Sequence, residues 1–265
     1  MKTTTMHAAD GSFPDEAKLK QMSARFAPVD INVDLSALSA NERLALHQLI
    51  AAAKIIDALF LRQVAPLNPT YLSALSRDDS SLGRARLHYF ILNAGPWSLI
   101  DENAPFLPGV GPKPPAANFY PGDATRKEVD AWMHSLPPAE RTEATGFFTT
   151  IRRDANGKFT AVPYSMEYQP ELVEAAKLLR AAAAATTQPT LKTFLEKRAQ
   201  AFLNNDYYDS DMAWMDLDAS IEPTIGPYEV YEDEWFNFKA AFEAFITLTD
   251  EKESQKLVRF SAELQ

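Results

Sequence analysis

Cysteine is absent from this 265-residue sequence, and positively charged residues are scarce. Without cysteine the chain has no disulfide, no thiolate metal ligand and no cysteine nucleophile, and both the cytosol and the periplasm stay open as compartments. The formal net charge is -10, with 26 basic residues against 36 acidic ones. That charge leaves no basic patch to neutralise phosphates, so nucleic acid is excluded as an expected partner. An acidic cleft would instead favour cationic or amino-terminal ligands.

Long apolar runs are also lacking. No run reaches the ~18–20 residues that a membrane-spanning helix needs. The opening stretch MKTTTMHAADGSFPDE has no apolar core of a secretory signal. We therefore predict a disordered leader over residues 1–28 and no membrane span. Hydrophobic residues make up 46% and charged residues 23% of the chain, a balance that supports one folded region with a sizeable core over residues 29–265.

Most of that region has the signals of helices. Residues 39–42 and 125–128 have the S/T-x-x-E spacing of capping boxes, and Pro170 suits the first turn of another helix. The break at residues 186–189 predicts an antiparallel pair of helices on either side of it. The second helix of that pair has an apolar stripe at helical spacing, formed by Leu191, Phe194, Leu195, Arg198, Ala199 and Phe202.

A hairpin is predicted where the hydrophobic period changes. Residues 147–151 and 159–162 are rich in β-branched and aromatic side chains. The stretch from Asp154 to Gly157 between them is turn-forming, with Gly157 expected at a positive φ. The expected fold class is therefore α+β and mostly helical, with helices framing a small antiparallel β-sheet or barrel.

The stretch of residues 225–246 changes character in its middle. Its first part is β-branched and aromatic, which is typical of a short strand with a bend. Glu229 and Tyr231 are two residues apart, so on a strand their side chains point to one face and line one wall of a cleft. The second part has an apolar stripe at helical spacing, formed by Phe238, Phe242, Phe245 and Ile246.

The same stretch resembles the dipeptidyl-peptidase III family of zinc metallopeptidases, through the run Ile225-Gly226-x-x-Glu229-x-Tyr231-x-Asp233 followed by Phe236 and Phe242-Glu243-x-Phe245. The stretches TGFFTTIRRDANGKFTAVPYS and FLNNDYYDSDMAWMDLD resemble bacterial members of that family. The resemblance implies that Glu229 holds the free amino group of a peptide and that Tyr231 donates a hydrogen bond to the oxyanion of the tetrahedral intermediate. It also places Asp233 among the substrate-binding residues. Better-known members carry Arg after the Tyr, whereas Glu232 stands here, so we expect binding around this position to differ.

The zinc site of that family is not present in this sequence. It needs an H-E-x-x-x-H helix and a further glutamate, so that the ligands share one helical face and the first Glu activates water. None of the four histidines is followed by Glu, and no two of them are four or five residues apart; they are His7, His47, His88 and His134. The resemblance therefore implies zinc in the full-length enzyme and none bound by this chain.

The same resemblance implies an N-terminal half, corresponding to the lower, substrate-binding lobe of the dipeptidyl-peptidase III fold. We expect residues 29–265 to form that lobe, truncated before the zinc-binding lobe and inactive alone. Its expected partners are a peptide substrate and the missing C-terminal zinc lobe.

Two other functions stay open. One is a non-enzymatic, mostly helical binding module whose acidic face recruits cationic peptides. The other is a complete hydrolase with a carboxylate-based site, although no spacing of acidic residues selects a pair. Calcium is not expected at the acidic cluster of residues 206–218, since the Gly and Glu positions of an EF-hand loop are missing.

Overall fold

The computed structural model describes residues 13–263. Its helices are, in chain order, α1 (Glu16–Ser23), α2 (Ala40–Val64), α3 (Asn68–Leu75), α4 (Ser81–Asn93), α5 (Arg126–Ser135), α6 (Pro138–Ala144), α7 (Tyr164–Glu167), α8 (Gln169–Ala185), α9 (Pro189–Asn204), α10 (Tyr208–Met215) and α11 (Glu251–Glu263). Its strands are β1 (Trp97–Ser98), β2 (Ala104–Pro105), β3 (Thr149–Arg153), β4 (Phe159–Pro163), β5 (Ile221–Glu229) and β6 (Ala241–Leu248). The predicted α+β class with mostly helical content is confirmed.

Two compact units divide the chain. Unit 1 comprises residues 1–30 and 64–114, and unit 2 comprises residues 31–63 and 115–265. In unit 1, α1 packs against α4, and the β1–β2 hairpin follows α4. Within this unit the Arg25 guanidinium donates to the Asp101 carboxylate at 2.5 Å.

The prediction of a disordered leader over residues 1–28 is wrong for Glu16–Ser23, which form helix α1. The Asp15 carboxylate accepts a hydrogen bond from the Lys18 backbone N–H at 2.8 Å, which caps the helix. Leu19 is fully buried and Met22 is nearly so. Because α1 buries these side chains in unit 1, it is an integral element of that unit. The first twelve residues of the predicted leader lie outside the described residues.

Helices α8 and α9 form the predicted antiparallel pair at the centre of unit 2. The chain breaks between them at residues 186–188, and every member of the predicted apolar stripe on α9 is fully buried. Tyr164, Tyr168 and Phe242 also pack in this core. The pair is the support on which the β5–β6 hairpin lies, since α9 contacts β5.

Helix α2 is the element of the described chain whose length and apolar composition would allow it to cross a bilayer. Core helices of globular proteins have the same properties. Ala45, Leu49 and Ile56 of α2 are fully buried in the core of unit 2. The absence of a membrane span stays a prediction.

The β3–β4 hairpin confirms the sequence-based prediction. It is antiparallel, with Thr149 opposite Pro163 and Arg153 opposite Phe159. Gly157 in its turn has a φ of 78°, a conformation that glycine adopts without steric cost.

The β5–β6 hairpin corrects the helix predicted from Phe238 to Ile246. Phe242, Ala244, Ile246 and Leu248 alternate towards the core of unit 2, and the residues between them are more exposed. Pairing with β5 makes this stretch a strand, in which side chains alternate with a period of two. The spacing of apolar residues within the stretch does not reveal that a partner strand is present. The described strands form separate two-stranded sheets, so the alternative of a closed barrel does not hold for this part of the chain.

Candidate functional site

The candidate site lies at the end of the β5–β6 hairpin where the two strands are connected. Strand β5 ends at Glu229 after a register shift between Pro227 and Glu229, which is the irregularity of a β-bulge. The site loop, which we define as residues 230–240, connects β5 to β6. Tyr231 lies in a turn of this loop and not on the strand, so the predicted strand geometry is wrong for Tyr231. Glu229 and Tyr231 nevertheless line the same groove of about 260 Å³.

The groove is acidic. It is lined by Glu229, Tyr231 and Glu232 at the end of β5, by residues 241–245 of β6 including Glu243, and by Asp57 and Phe60 of α2. No Lys, Arg or His is among these lining residues. Four carboxyl groups around one groove produce a negative potential that favours a cation.

The pKa values of three groove residues are raised, as expected where carboxyl groups are close together and partly removed from water. Partial burial, followed by the charge of Glu229, raises the pKa of Glu243. Desolvation raises the pKa of Asp57. Desolvation and then the charges of Glu229, Glu243 and Glu232 raise the pKa of Tyr231. Since like charges disfavour further ionisation, the Tyr231 phenol stays neutral and keeps its O–H donor.

Tyr231 and Glu229 are accessible to a ligand. The Tyr231 side chain is 65% exposed, and Glu229 is exposed at the end of its strand. A phenol and a carboxylate on one groove wall supply one donor and one anionic acceptor. The arrangement can therefore bind an ammonium group and donate a hydrogen bond to an oxygen near it.

Asp233 is predicted to bind substrate, but it is not among the residues that line the groove. It is fully buried, and its carboxylate accepts a 2.8 Å hydrogen bond from the Tyr120 hydroxyl. It also accepts from backbone N–H groups of its own loop, those of Trp235, Phe236, Phe238 and Lys239. The predicted substrate-binding role of Asp233 does not fit this placement, because protein donors surround both carboxylate oxygens.

Asp57 and Glu243 are the groove residues that sequence reasoning missed. Asp57 interrupts the apolar face of α2, and a charge on such a face is a signal that was available in the sequence. Glu243 belongs to the run that resembles the family, but the resemblance implies no role for it, and helical spacing does not place it beside Glu229. Only the strand register brings Glu243 beside Glu229 and Tyr231.

The three histidines that the structure describes do not gather into a metal site. His47, His88 and His134 are each exposed, and His7 lies outside the described residues. Within residues 13–263, no group of three or more His, Cys, Asp or Glu side chains is arranged to hold a metal ion. The described residues therefore offer no set of side chains that fits a zinc site.

A family model and two solved structures point to one family. The family described as Peptidase family M49 matches residues 138–264. The structure of dipeptidyl-peptidase III from Corallococcus sp. strain EGB is 62% identical with a TM-score of 0.91, over 96% of this chain and 47% of that one. The structure of DPP III from Caldithrix abyssi is 48% identical with a TM-score of 0.86, over 91% of this chain and 46% of that one.

A curated relative has a different name. Nudix hydrolase 3 from Arabidopsis thaliana is 36% identical over an alignment of 296 residues, and the match covers 93% of this chain and 38% of that protein. Because most of that protein has no counterpart here, its name assigns no activity to this chain. The chain spans about half the length of the two solved structures and 38% of the plant protein.

Proposed function

Since this chain belongs to the dipeptidyl-peptidase III family, Peptidase family M49, we propose that it is the substrate-binding part of a zinc-dependent peptidase. The single observation that supports the proposal is the acidic groove, which has Glu229 and Tyr231 on one wall. In the proposal, a peptide lies in this groove with its free amino terminus towards Glu229. The remaining polypeptide of the relatives would supply the second lobe.

Glu229 is the proposed partner of the peptide ammonium. An α-amino group has a pKa of roughly 7.7–8.0 and is mostly protonated at pH 7. The charges of Glu243 and Asp57 in the same groove reinforce that attraction. A peptide with a blocked amino terminus lacks the positive charge, so the groove should discriminate against it.

Tyr231 is the proposed donor to the oxyanion that forms during peptide hydrolysis. A neutral phenol provides a fixed O–H donor, and removal of one oxyanion donor typically costs about 10²–10³ in turnover. Zinc would polarise the scissile carbonyl and activate water, and its ligands would come from polypeptide beyond these residues. This chain's own part is to bind the amino terminus, orient the peptide and donate the phenolic hydrogen bond.

A second candidate rests on the same acidic groove. A non-enzymatic module would use the four carboxyl groups to recruit cationic peptides through their side chains. Such a module would bind a lysine-rich peptide equally well with a free or a blocked amino terminus. The two proposals therefore differ in the effect of amino-terminal acetylation: the peptidase proposal predicts weaker binding, and the binding-module proposal predicts no change.

The experiment compares binding of tetraalanine with that of its N-acetylated form, by titration calorimetry on the 265-residue chain. We expect the free amine to bind at least tenfold tighter, and Glu229→Gln to abolish that preference. Glu222→Gln is the matched control, because Glu222 is an exposed carboxylate on the same strand and outside the groove. Equal binding of the two peptides to the unmodified chain would refute the proposed role of Glu229.

A further inference from the structure

We propose that Asp233 and Lys239 are positioning residues that hold the site loop, and with it Tyr231 and Glu243, in the geometry that binds the substrate. This inference rests on the proposed function. Both side chains are fully buried, and neither is among the residues that line the groove. Any effect they have on binding must therefore act through other groups.

Asp233 organises the loop from within. Its Oδ1 accepts from the N–H of Trp235 at 3.2 Å and of Phe236 at 3.3 Å. Its Oδ2 accepts from the N–H of Phe238 at 3.0 Å and of Lys239 at 3.3 Å, in addition to the Tyr120 hydroxyl. One carboxylate thus satisfies four backbone donors of an irregular segment that has no strand partner for them. Partly buried and buried N–H groups that lose their acceptor disfavour the conformation that places them there, so the loop conformation depends on this side chain.

Lys239 attaches the end of the loop to the rest of unit 2. Its Nζ donates to the carbonyl oxygens of Ala144 at 2.7 Å and Gly146 at 2.9 Å, and to the Thr149 hydroxyl at 2.8 Å. Three acceptors match the three N–H bonds of an ammonium group. Burial lowers the pKa of Lys239, and the negative charge of Asp233 opposes that shift. Backbone bonds beside it add to the attachment, because the Ala240 N–H donates to Phe147 and the Ala240 carbonyl accepts from Tyr164.

The two attachments lie next to the groove residues in the chain. Tyr231 is two residues before Asp233, and Glu243 is four residues after Lys239. Because two residues span at most ~7 Å, a fixed Asp233 restricts where the Tyr231 phenol can lie. The Lys239 attachment sets where β6 begins, and so where Glu243 faces the groove. The loop thereby restricts where the Tyr231 phenol and the Glu243 carboxylate lie relative to Glu229.

The test uses Asp233→Asn in the 265-residue chain. The amide keeps the size of the carboxylate, but its NH₂ group would face backbone donors that need an acceptor. We expect faster hydrogen exchange at the amides of residues 235–239 and about a tenfold loss in the preference for free over N-acetylated tetraalanine. Asp154→Asn is the matched control, since the Asp154 carboxylate accepts backbone N–H bonds in the turn of the other hairpin. It should leave both measurements unchanged.

The outcomes separate this inference from the proposed function. Loss of the preference in Glu229→Gln, together with an unchanged preference in a folded Asp233→Asn, would overturn the positioning role alone. An unchanged preference in Glu229→Gln would refute the proposed function itself. If Asp233→Asn does not fold, Tyr120→Phe removes only the phenolic hydrogen bond, and we expect it to lower the preference two- to threefold. An unchanged preference in Tyr120→Phe, with faster exchange at residues 235–239, would also overturn the inference.

Discussion

Replacement of Gly226 by alanine tests how tightly β5 is packed beneath the groove. Gly226 has a φ of 153°, and a Cβ atom at this position would lie 2.5 Å from Nη1 of Arg198. The Arg198 side chain is fully buried, and its Nη2 donates to the Asp211 carboxylate at 2.5 Å. Its Cζ lies 5.3–5.4 Å from the centres of three aromatic rings, those of Phe194, Tyr207 and Tyr228. These contacts leave the guanidinium little room to move away from a new methyl group.

Two costs add in Gly226→Ala. A non-glycine residue in such a backbone conformation costs about 1–3 kcal/mol, and overpacking of a buried site typically costs about 1–3 kcal/mol more. We therefore expect Gly226→Ala to lower the free energy of unfolding by about 2–6 kcal/mol. Gly157→Ala is the control for the backbone cost alone, because Gly157 has a φ of 78° and a Cβ added there would have no atom within 4 Å.

Urea denaturation followed by tryptophan fluorescence measures both changes. The gap between Gly226→Ala and Gly157→Ala should be at least about 1 kcal/mol, the lower end of the overpacking cost. A double-mutant cycle with Arg198→Met should give a coupling energy of about 1 kcal/mol or more, since the two sites are in direct contact. Equal costs for the two glycine replacements, with no coupling to Arg198, would refute the reasoning.

Two further predictions concern the groove and the site loop. In the full-length enzyme that the proposal implies, Tyr231→Phe should lower kcat by about 10²–10³-fold, because it removes one oxyanion donor. The melting temperature should stay unchanged, because the ring is exposed. A wild-type kcat would contradict the role of Tyr231. Burial lowers the pKa of Lys239 to about 7 from 10.5, so between pH 7 and 10.5 the unfolded chain binds more protons than the folded one. The free energy of unfolding should therefore rise with pH across that window, by at most on the order of 2 kcal/mol between about pH 7.5 and 9.5. Lys239→Met should reduce that rise in denaturation experiments at the two pH values, and an identical slope would count against the lowered pKa of Lys239.

Local signals were sufficient for the elements whose contacts are local. The capping box at Thr125 forms as predicted, with the Thr125 and Glu128 side chains bonded to each other's backbone N–H groups. The turn from Asp154 to Gly157 forms because Asp154 accepts from the N–H groups of Asn156 and Lys158. In both cases the partners lie within four residues, so the sequence contains the whole interaction.

Glu42 has one contact that the local sequence predicts and others that it does not. The Glu42 N–H donates to the Ser39 hydroxyl as a capping box requires. The Glu42 carboxylate, however, accepts from Thr186 and Thr187 at the α8–α9 connection, where it is nearly fully buried. The motif located the start of α2 correctly, and a distant contact decided what its carboxylate does.

By itself the sequence determined the helical class, the α8–α9 pair, the β3–β4 hairpin, the family and the two residues Glu229 and Tyr231 as candidates. The tertiary structure decided that residues 241–248 form a strand, since their spacing fits a helix until β5 pairs with them. It also decided that Asp233 is a buried acceptor, because its Tyr120 partner is 113 residues away in the chain. Glu243 and Asp57 join the groove for the same physical reason: strand register and helix packing bring together groups that no local pattern connects.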